Sequence, residues 1–144
     1  MSARSQIVEA LVEKVKLIDG TGQYTSNLFT NVYNKLKFWN EVNDYPSVYI
    51  NAGPETRDYL PGGFKWGYIT IIIRVYVKGE NPEILLEDIF SDLELIVDNN
   101  GNLVYNDSSG SKIEDMKIMS INTDEGLLAP YGVGEIILEI MYDL

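Results

Sequence analysis

Apolar and polar residues recur along the chain with two different periods, and the changes of period mark out its elements. Between residues 2 and 18, Ile7, Leu11, Val15 and Ile18 recur at helical spacing, and Val8 and Val12 widen the stripe. Asp19-Gly20-Thr21-Gly22 supplies the stop. From 27 to 38 the period shortens. Leu28, Val32, Leu36 and Phe38 fall on one side, with Asn31, Lys35 and Lys37 on the other, which predicts a half-buried strand. Asn40 to Asp44 reads as a polar turn, and Pro46 to Ala52 as a short strand with Val48 and Ile50 inward. Proline is tolerated at its start because the missing N–H falls at the strand's edge.

Residues 53–65, GPETRDYLPGGFK, carry two prolines and three glycines and read as an irregular loop, long for a hairpin. The strongest strand follows at 66–78. Ile69, Ile71, Ile73, Val75 and Val77 fill one face, with Tyr68, Ile72 and Tyr76 on the other, so it is expected to be central and covered on both sides. Asn81-Pro82-Glu83 is a helix start: a capping side chain, proline at the first helical position and an acid in the first turn. Leu85, Ile89, Leu93 and Ile96 carry that helix from 82 to about 98, where Asp98-Asn99-Asn100-Gly101 ends it. A polar Ser/Gly-rich stretch at 102–111 is expected to be mobile. Strands are predicted at 113–123 and 134–142, the last with Ile136, Leu138, Ile140 and Tyr142 on one face and Glu135 and Glu139 on the other. The order α-β-β-β-α-β-β with short connections predicts an α+β fold. Its mostly antiparallel sheet has about four to five strands, and two helices pack on one or both faces, in a single domain over 1–144.

Composition narrows the function. There is no cysteine and no histidine, which excludes disulfides and thiolate metal sites and removes the commonest general acid–base group. Lys and Arg number 11 against 22 Asp and Glu, a net charge of −11, so no basic surface for gripping phosphates is expected. The start lacks a signal-peptide core, and apolar runs of about five residues fall far short of the ~20 that span a bilayer. No membrane role is expected.

Candidate chemistry is thin. Glu87, Asp88 and Asp92 share one side of the second helix and read as a solvated face. With Glu83, Glu94 and Asp98 they leave that helix without a single base. Asp98, Asn100 and Asn102 match the first three ligand positions of a calcium loop, but Leu103 stands where glycine is needed and Ser109 where glutamate is needed. Gly132-Val133-Gly134 lacks the third glycine and the strand–helix setting of a phosphate loop. No catalytic, cofactor or metal site is therefore assigned.

Aromatic and apolar residues in turns are the stronger signal. The chain has ten tyrosines and two tryptophans. Trp39, Tyr45, Tyr59, Phe64, Trp66 and Tyr131 fall at strand ends or in loops, with Leu60, Leu127, Leu128 and Pro130 beside them. Such groups are enriched at the centres of protein interfaces. The residues assigned to contacts are Trp39, Tyr59, Leu60, Trp66, Leu127, Leu128, Pro130 and Tyr131.

In the order of its elements and in several local patterns the chain resembles the tail-terminator, or tail-completion, proteins of long-tailed bacteriophages. The patterns are Val32-Tyr33 and Lys35-Leu36 leading to Trp39-Asn40-Glu41 and Tyr45-Pro46-Ser47-Val48; the long strand Tyr68 to Val77; Asn81-Pro82; Thr123-Asp124-Glu125-Gly126 before Pro130-Tyr131-Gly132; and Glu135-Ile136 to Met141-Tyr142. The resemblance implies a structural protein that forms a ring, commonly a hexamer, on the last ring of the tail tube. That ring would stop tube growth and offer a docking surface to a neck or head-completion protein, with a sheath-type protein as a further partner if the tail contracts. DNA would pass through the lumen without specific binding. The protein would reside at the head-proximal end of the virion tail, after assembly in the host cytoplasm. A neck adaptor on the head side is the alternative, and a small carboxylate-based enzyme a remote one.

Overall fold

A computed structural model describes residues 2–144. The elements in chain order are α1 (Ala3–Val15), β1 (Val32–Tyr33), β2 (Ser47–Leu60), β3 (Phe64–Lys78), α2 (Pro82–Asn99), β4 (Val104–Asn106), β5 (Ser111–Lys112), β6 (Asp115–Thr123) and β7 (Tyr131–Asp143). Five strands form one sheet in the order β1-β2-β3-β7-β6, and β4-β5 form a small ribbon of their own. All pairings in the large sheet are antiparallel except β1 with β2. The α+β architecture and the central place of β3 match the reading of the pattern.

Both helices lie against one face of the sheet. Ile69, Ile71, Ile73, Val75 and Val77 of β3 and Ile136, Leu138, Ile140 and Tyr142 of β7 are buried in one cluster with Ile7, Leu11 and Val15 of α1 and Leu86, Ile89, Phe90, Leu93 and Ile96 of α2. Ser2 caps α1, its hydroxyl accepting from the Ser5 N–H at 3.2 Å. Asn81 makes no side-chain cap bond at α2, so Pro82 and Glu83 mark that start without it. The Asn100 amide donates to the Ile96 carbonyl at 2.7 Å, so part of the failed calcium pattern serves as the C-terminal cap of α2. The Gly132-Val133-Gly134 stretch has a packing role: a Cβ on Gly134 would lie 2.4 Å from Phe90 Cζ. Its absence lets α2 sit down on β7.

Five expectations need correction. The strand predicted over 27–38 is reduced to Val32–Tyr33, because Phe29 and Thr30 take left-handed backbone at φ 51° and 60° and break the alternation. Leu36 and Phe38 are exposed rather than inward. Residues 53–65 are not an irregular loop. They continue β2 and β3 into a hairpin arm that turns at Pro61-Gly62-Gly63, with a bulge between Ala52 and Glu55 absorbing Gly53-Pro54. The 102–111 stretch is not without strands: β4, next to buried Leu103, lies within it and β5 starts at its last residue. β3 is covered by helices on one side only, and Thr70, Ile72 and Arg74 on its other side stay half-exposed. Finally, Asp92 is not on a solvated face. It is 1% exposed and accepts from the N–H groups of Thr25 at 3.0 Å and Ser26 at 2.7 Å. Glu83, Glu87, Glu94 and Asp98 are exposed as expected, and Asp88 is half-buried.

Asp92 thus ties the loop after α1 to the middle of α2. Asp92→Ala leaves two backbone donors without their partner and is expected to lower stability by about 1–3 kcal/mol. Denaturant titration of the two proteins measures the difference.

Candidate functional site

The assigned contact residues separate into two groups at opposite ends of the sheet. Trp66 pairs with Asp143 at one end of β3, and Lys78 pairs with Tyr131 at the other. The twelve residue steps from Trp66 to Lys78 span about 40 Å at ~3.4 Å per residue.

The first group is the tip and root of the hairpin arm. Tyr59 is 65% exposed, Phe64 64% and Leu60 46%, and Trp66 is half-buried at the root. Lys65 Nζ lies 5.7 Å from the Tyr59 ring centroid. An exposed ribbon gains little from packing, and its hold is at the bulge. There the Glu55 side chain, 5% exposed, sits between Arg57 Nε at 2.6 Å and Arg4 Nη1 at 3.4 Å. The Tyr142 hydroxyl donates to Glu55 Oε1 at 2.8 Å. Arg4 Nη2 also donates to the Gly53 carbonyl at 2.7 Å. Burial by itself raises the Glu55 pKa, but hydrogen bonds from Arg57 and Tyr142 and the charges of Arg57 and Arg4 outweigh it and hold the carboxyl below its ordinary value. Burial, reinforced by the bond to Glu55, pushes the Tyr142 hydroxyl up to about 12, so it remains a donor. The clasp joins the N-terminal helix, the last strand and the arm.

The second group surrounds the β6–β7 loop. Asp124 organises it: one carboxylate oxygen accepts from the Leu128 N–H at 3.0 Å and the other from the Val133 N–H at 3.2 Å. Its backbone N–H donates to the Val133 carbonyl at 2.9 Å. Gly126 takes φ 82°, and a Cβ there would lie 2.3 Å from Glu83 Oε1, so no other residue fits without displacement. This scaffold holds Leu127 out at 85% exposure, with Pro130 also exposed and Leu128 half-buried.

Tyr131, the first residue of β7, is less free than a place at a strand end suggests. Its ring lies 6.1 Å from that of Trp39 and 5.7 Å from that of Tyr45, with Lys78 Nζ 5.3 Å from its centroid. Beside it, on the face of the sheet away from the helices, Tyr33, Tyr49 and Tyr76 pack in series at 5.1 and 5.6 Å. The Tyr33 hydroxyl donates to Asp44 at 2.5 Å, and that bond with burial pushes its pKa up to about 12. The Tyr76 hydroxyl donates to the Lys37 carbonyl at 2.5 Å. Several of the ten tyrosines thus fold residues 34–46 over one end of the second sheet face. Trp39, on a short 3-10 helix, remains 42% exposed at the rim.

A family model described as "Bacteriophage Tail Tube Terminator Protein" matches residues 1–144. The chain is 38% identical over 153 residues to the tail tube terminator protein p142 of Escherichia phage T5, covering 99% of this chain and 94% of that protein. The chain belongs to the bacteriophage tail tube terminator family. A solved chain from the virion of a native gene transfer agent particle shares its fold, with a TM-score of 0.59, 11% identity and full coverage of both chains. In this terminator, then, what is available for contact is a hairpin arm at one end of the sheet and an apolar loop at the other. Sequence reasoning missed Glu55, Arg4 and Asp124. None belongs to a chemical motif, and their partners lie up to 87 residues away, as with Glu55 and Tyr142. Asp124 carried one local signal, a carboxylate at the start of a Gly-containing turn.

Because the Glu55 pKa is lower in the folded chain, the clasp stabilises the terminator fully above the unfolded carboxylate value of about 4.3 and loses its contribution as pH falls through the lower folded value. Glu55→Gln is expected to cost about 1–3 kcal/mol at neutral pH. The gap to wild type should close in acid, as thermal unfolding measured from pH 7 down to pH 3 would register.

Proposed function

We propose that this tail tube terminator works as a homo-oligomeric ring, hexameric in our reading, that caps the tail tube, ends its polymerisation and gives the neck or head-completion protein a surface to dock on. The observation that carries the reading is the polarity of the molecule. Apolar side chains are displayed at both ends of one long sheet, Tyr59, Leu60 and Phe64 at one and Leu127 at the other. A body that must meet one ring below and another above needs two such ends. Loops and arms at strand ends project along the strand direction more readily than the strands themselves. Exposed aliphatic and aromatic groups on rigid supports are the kind that anchor interfaces.

The net charge of −11 supports a conduit that does not hold passing DNA, since nonspecific binding depends on neutralising phosphates. A sheath-type protein would be a further neighbour in a contractile tail. The protein would act at the head-proximal end of the tail, joining it after synthesis and assembly in the host cytoplasm. No turnover is part of this role.

Electron microscopy of phage assembled without the protein tests the reading. Tails longer than normal are expected. Tails of normal length beside detached heads would instead make it a neck adaptor. Leu127→Asp should leave the fold intact, because the side chain touches little of its own chain, yet reproduce the defect of the missing protein in at least part of the tails. The same micrographs, with a thermal melt of the purified variant, check both halves.

A further inference from the structure

Among the long strands of the large sheet, two edges lack a strand partner in the described residues. β1 covers the outer edge of β2 only at Val48 and Tyr49, and Arg4 occupies the Gly53 carbonyl. From Glu55 to Leu60 no strand lies on that edge. On the far side of the sheet β6 pairs with β7 alone, so its outer edge is bare from Asp115 to Thr123. Such rows of free N–H and C=O groups are templates for pairing with another chain.

Direction and height make the two edges complementary. β2, β3, β7 and β6 alternate in direction, so the outermost two of this even set run oppositely. A second copy related by rotation therefore brings its β2 antiparallel to β6 without being inverted, the head-to-tail relation that closes rings. Across the sheet Glu55 is level with Ile69, Ile140 and Met116, so the arm continues past the start of β6 at Asp115. Copies set side by side at equal strand height would leave it hanging. Strands in closed sheets tilt by about 35–45°, and with four strands about 4.8 Å apart each copy must then be staggered by about 13–19 Å, roughly four to six residues, whatever the number of copies. A stagger of four sets Arg57 opposite Ile118, Asp58 opposite Lys117 and Tyr59 opposite Met116. It also matches the faces: Arg57 and Tyr59 lie on the helix side, as do Met116 and Ile118, while Asp58 and Lys117 lie on the open side. Lys117 is exposed beside Glu139 at 3.4 Å, with room for a second carboxylate.

We propose that the outer edge of the arm, Glu55 to Leu60, pairs antiparallel with β6 of an adjacent copy of this chain, with Asp58 facing Lys117. This rests on the ring reading above and adds to it the seam and its register. Opposite charges directly across an antiparallel pair are favourable, and like charges there are not.

The chain has no cysteine, so an engineered pair reports cleanly. Within one copy positions 58 and 117 are three strand spacings apart, about 14 Å at least, beyond the ~7 Å Cα separation that a disulfide can bridge. Any bond must join two copies. Asp58→Cys with Lys117→Cys, in full-length chain assembled on tails and oxidised, is expected to give a ladder of covalent multimers. Neither single variant should do so, and Asp58→Cys with Asn122→Cys should give several-fold less. Asp58→Lys is expected to lose capped tails, and adding Lys117→Asp to restore them. If microscopy shows the chain as a ring on tails while the 58–117 pair yields no multimers and the charge exchange restores nothing, the seam is overturned and the ring stands. If no ring of this chain is found on tails, seam and ring fall together.

Discussion

The structure depends on one contact surface, the apolar side of β3 and β7 pressed against α1 and α2. Five β-branched residues of β3 and four apolar residues of β7 face that layer, all buried. Each fully buried side chain of this size contributes about 1.5–3 kcal/mol relative to exposure, so this face is a substantial part of what offsets the entropy of folding. Helix and sheet come this close because Gly134 gives Phe90 room. Asp92, itself buried, then fixes the loop after α1 to the same helix through two hydrogen bonds.

Because the core lies on one side, the rest of the sheet is left for other uses. Its second face is closed at one end by the molecule's own tyrosines and stays half-open elsewhere, with the Arg74–Glu135 and Lys117–Glu139 pairs across it. β2 and β3 run on past the helices as an arm that no core supports, held at its root by Glu55 between two arginines and a tyrosine. Asp124 and Gly126 build a loop whose geometry presents Leu127 instead of hiding it. The stable part of the molecule positions these features.

How far the sequence could be read follows from what holds each segment. β3, β7 and α2 were legible because most of their apolar side chains face a core and carry its period: five alternating apolar residues, four more, and a stripe at spacings of three and four, in which Leu85 proves exposed and Leu86 is buried instead. The arm was not, because solvent lies on both its sides and no core selects one face of it, so its side chains carry no apolar alternation. Pro54 sits in the bulge, where no ladder bond is lost, and so gave a false stop. The 27–38 segment failed the other way. Its alternation is real, but left-handed Phe29 and Thr30 turn the chain, and residues 34–46 fold over Tyr49 and Tyr76 instead of pairing. Asp92 looked like its acidic neighbours because its partners are 66 and 67 residues distant. Of the assigned contact residues, Leu127, Leu128 and Pro130 lie in a turn, whereas Tyr59, Leu60 and Trp66 belong to β2 and β3 and Tyr131 starts β7; nor could the sequence tell Tyr131, engaged with Trp39 and Tyr45, from Leu127, which stands free.

Two adjacent residues separate a one-sided core from a sheet covered on both faces. Ile73 points to the helices and is 1% exposed, whereas Ile72 points to the open face and is half-exposed. An unpaired charge at a buried site costs several kcal/mol, while one at a wet site costs little. The most direct measurement is the thermal unfolding of Ile73→Asp beside Ile72→Asp. The account predicts that the first does not fold and that the second melts cooperatively within a few degrees of wild type. Loss of folding in both, or in neither, would contradict it.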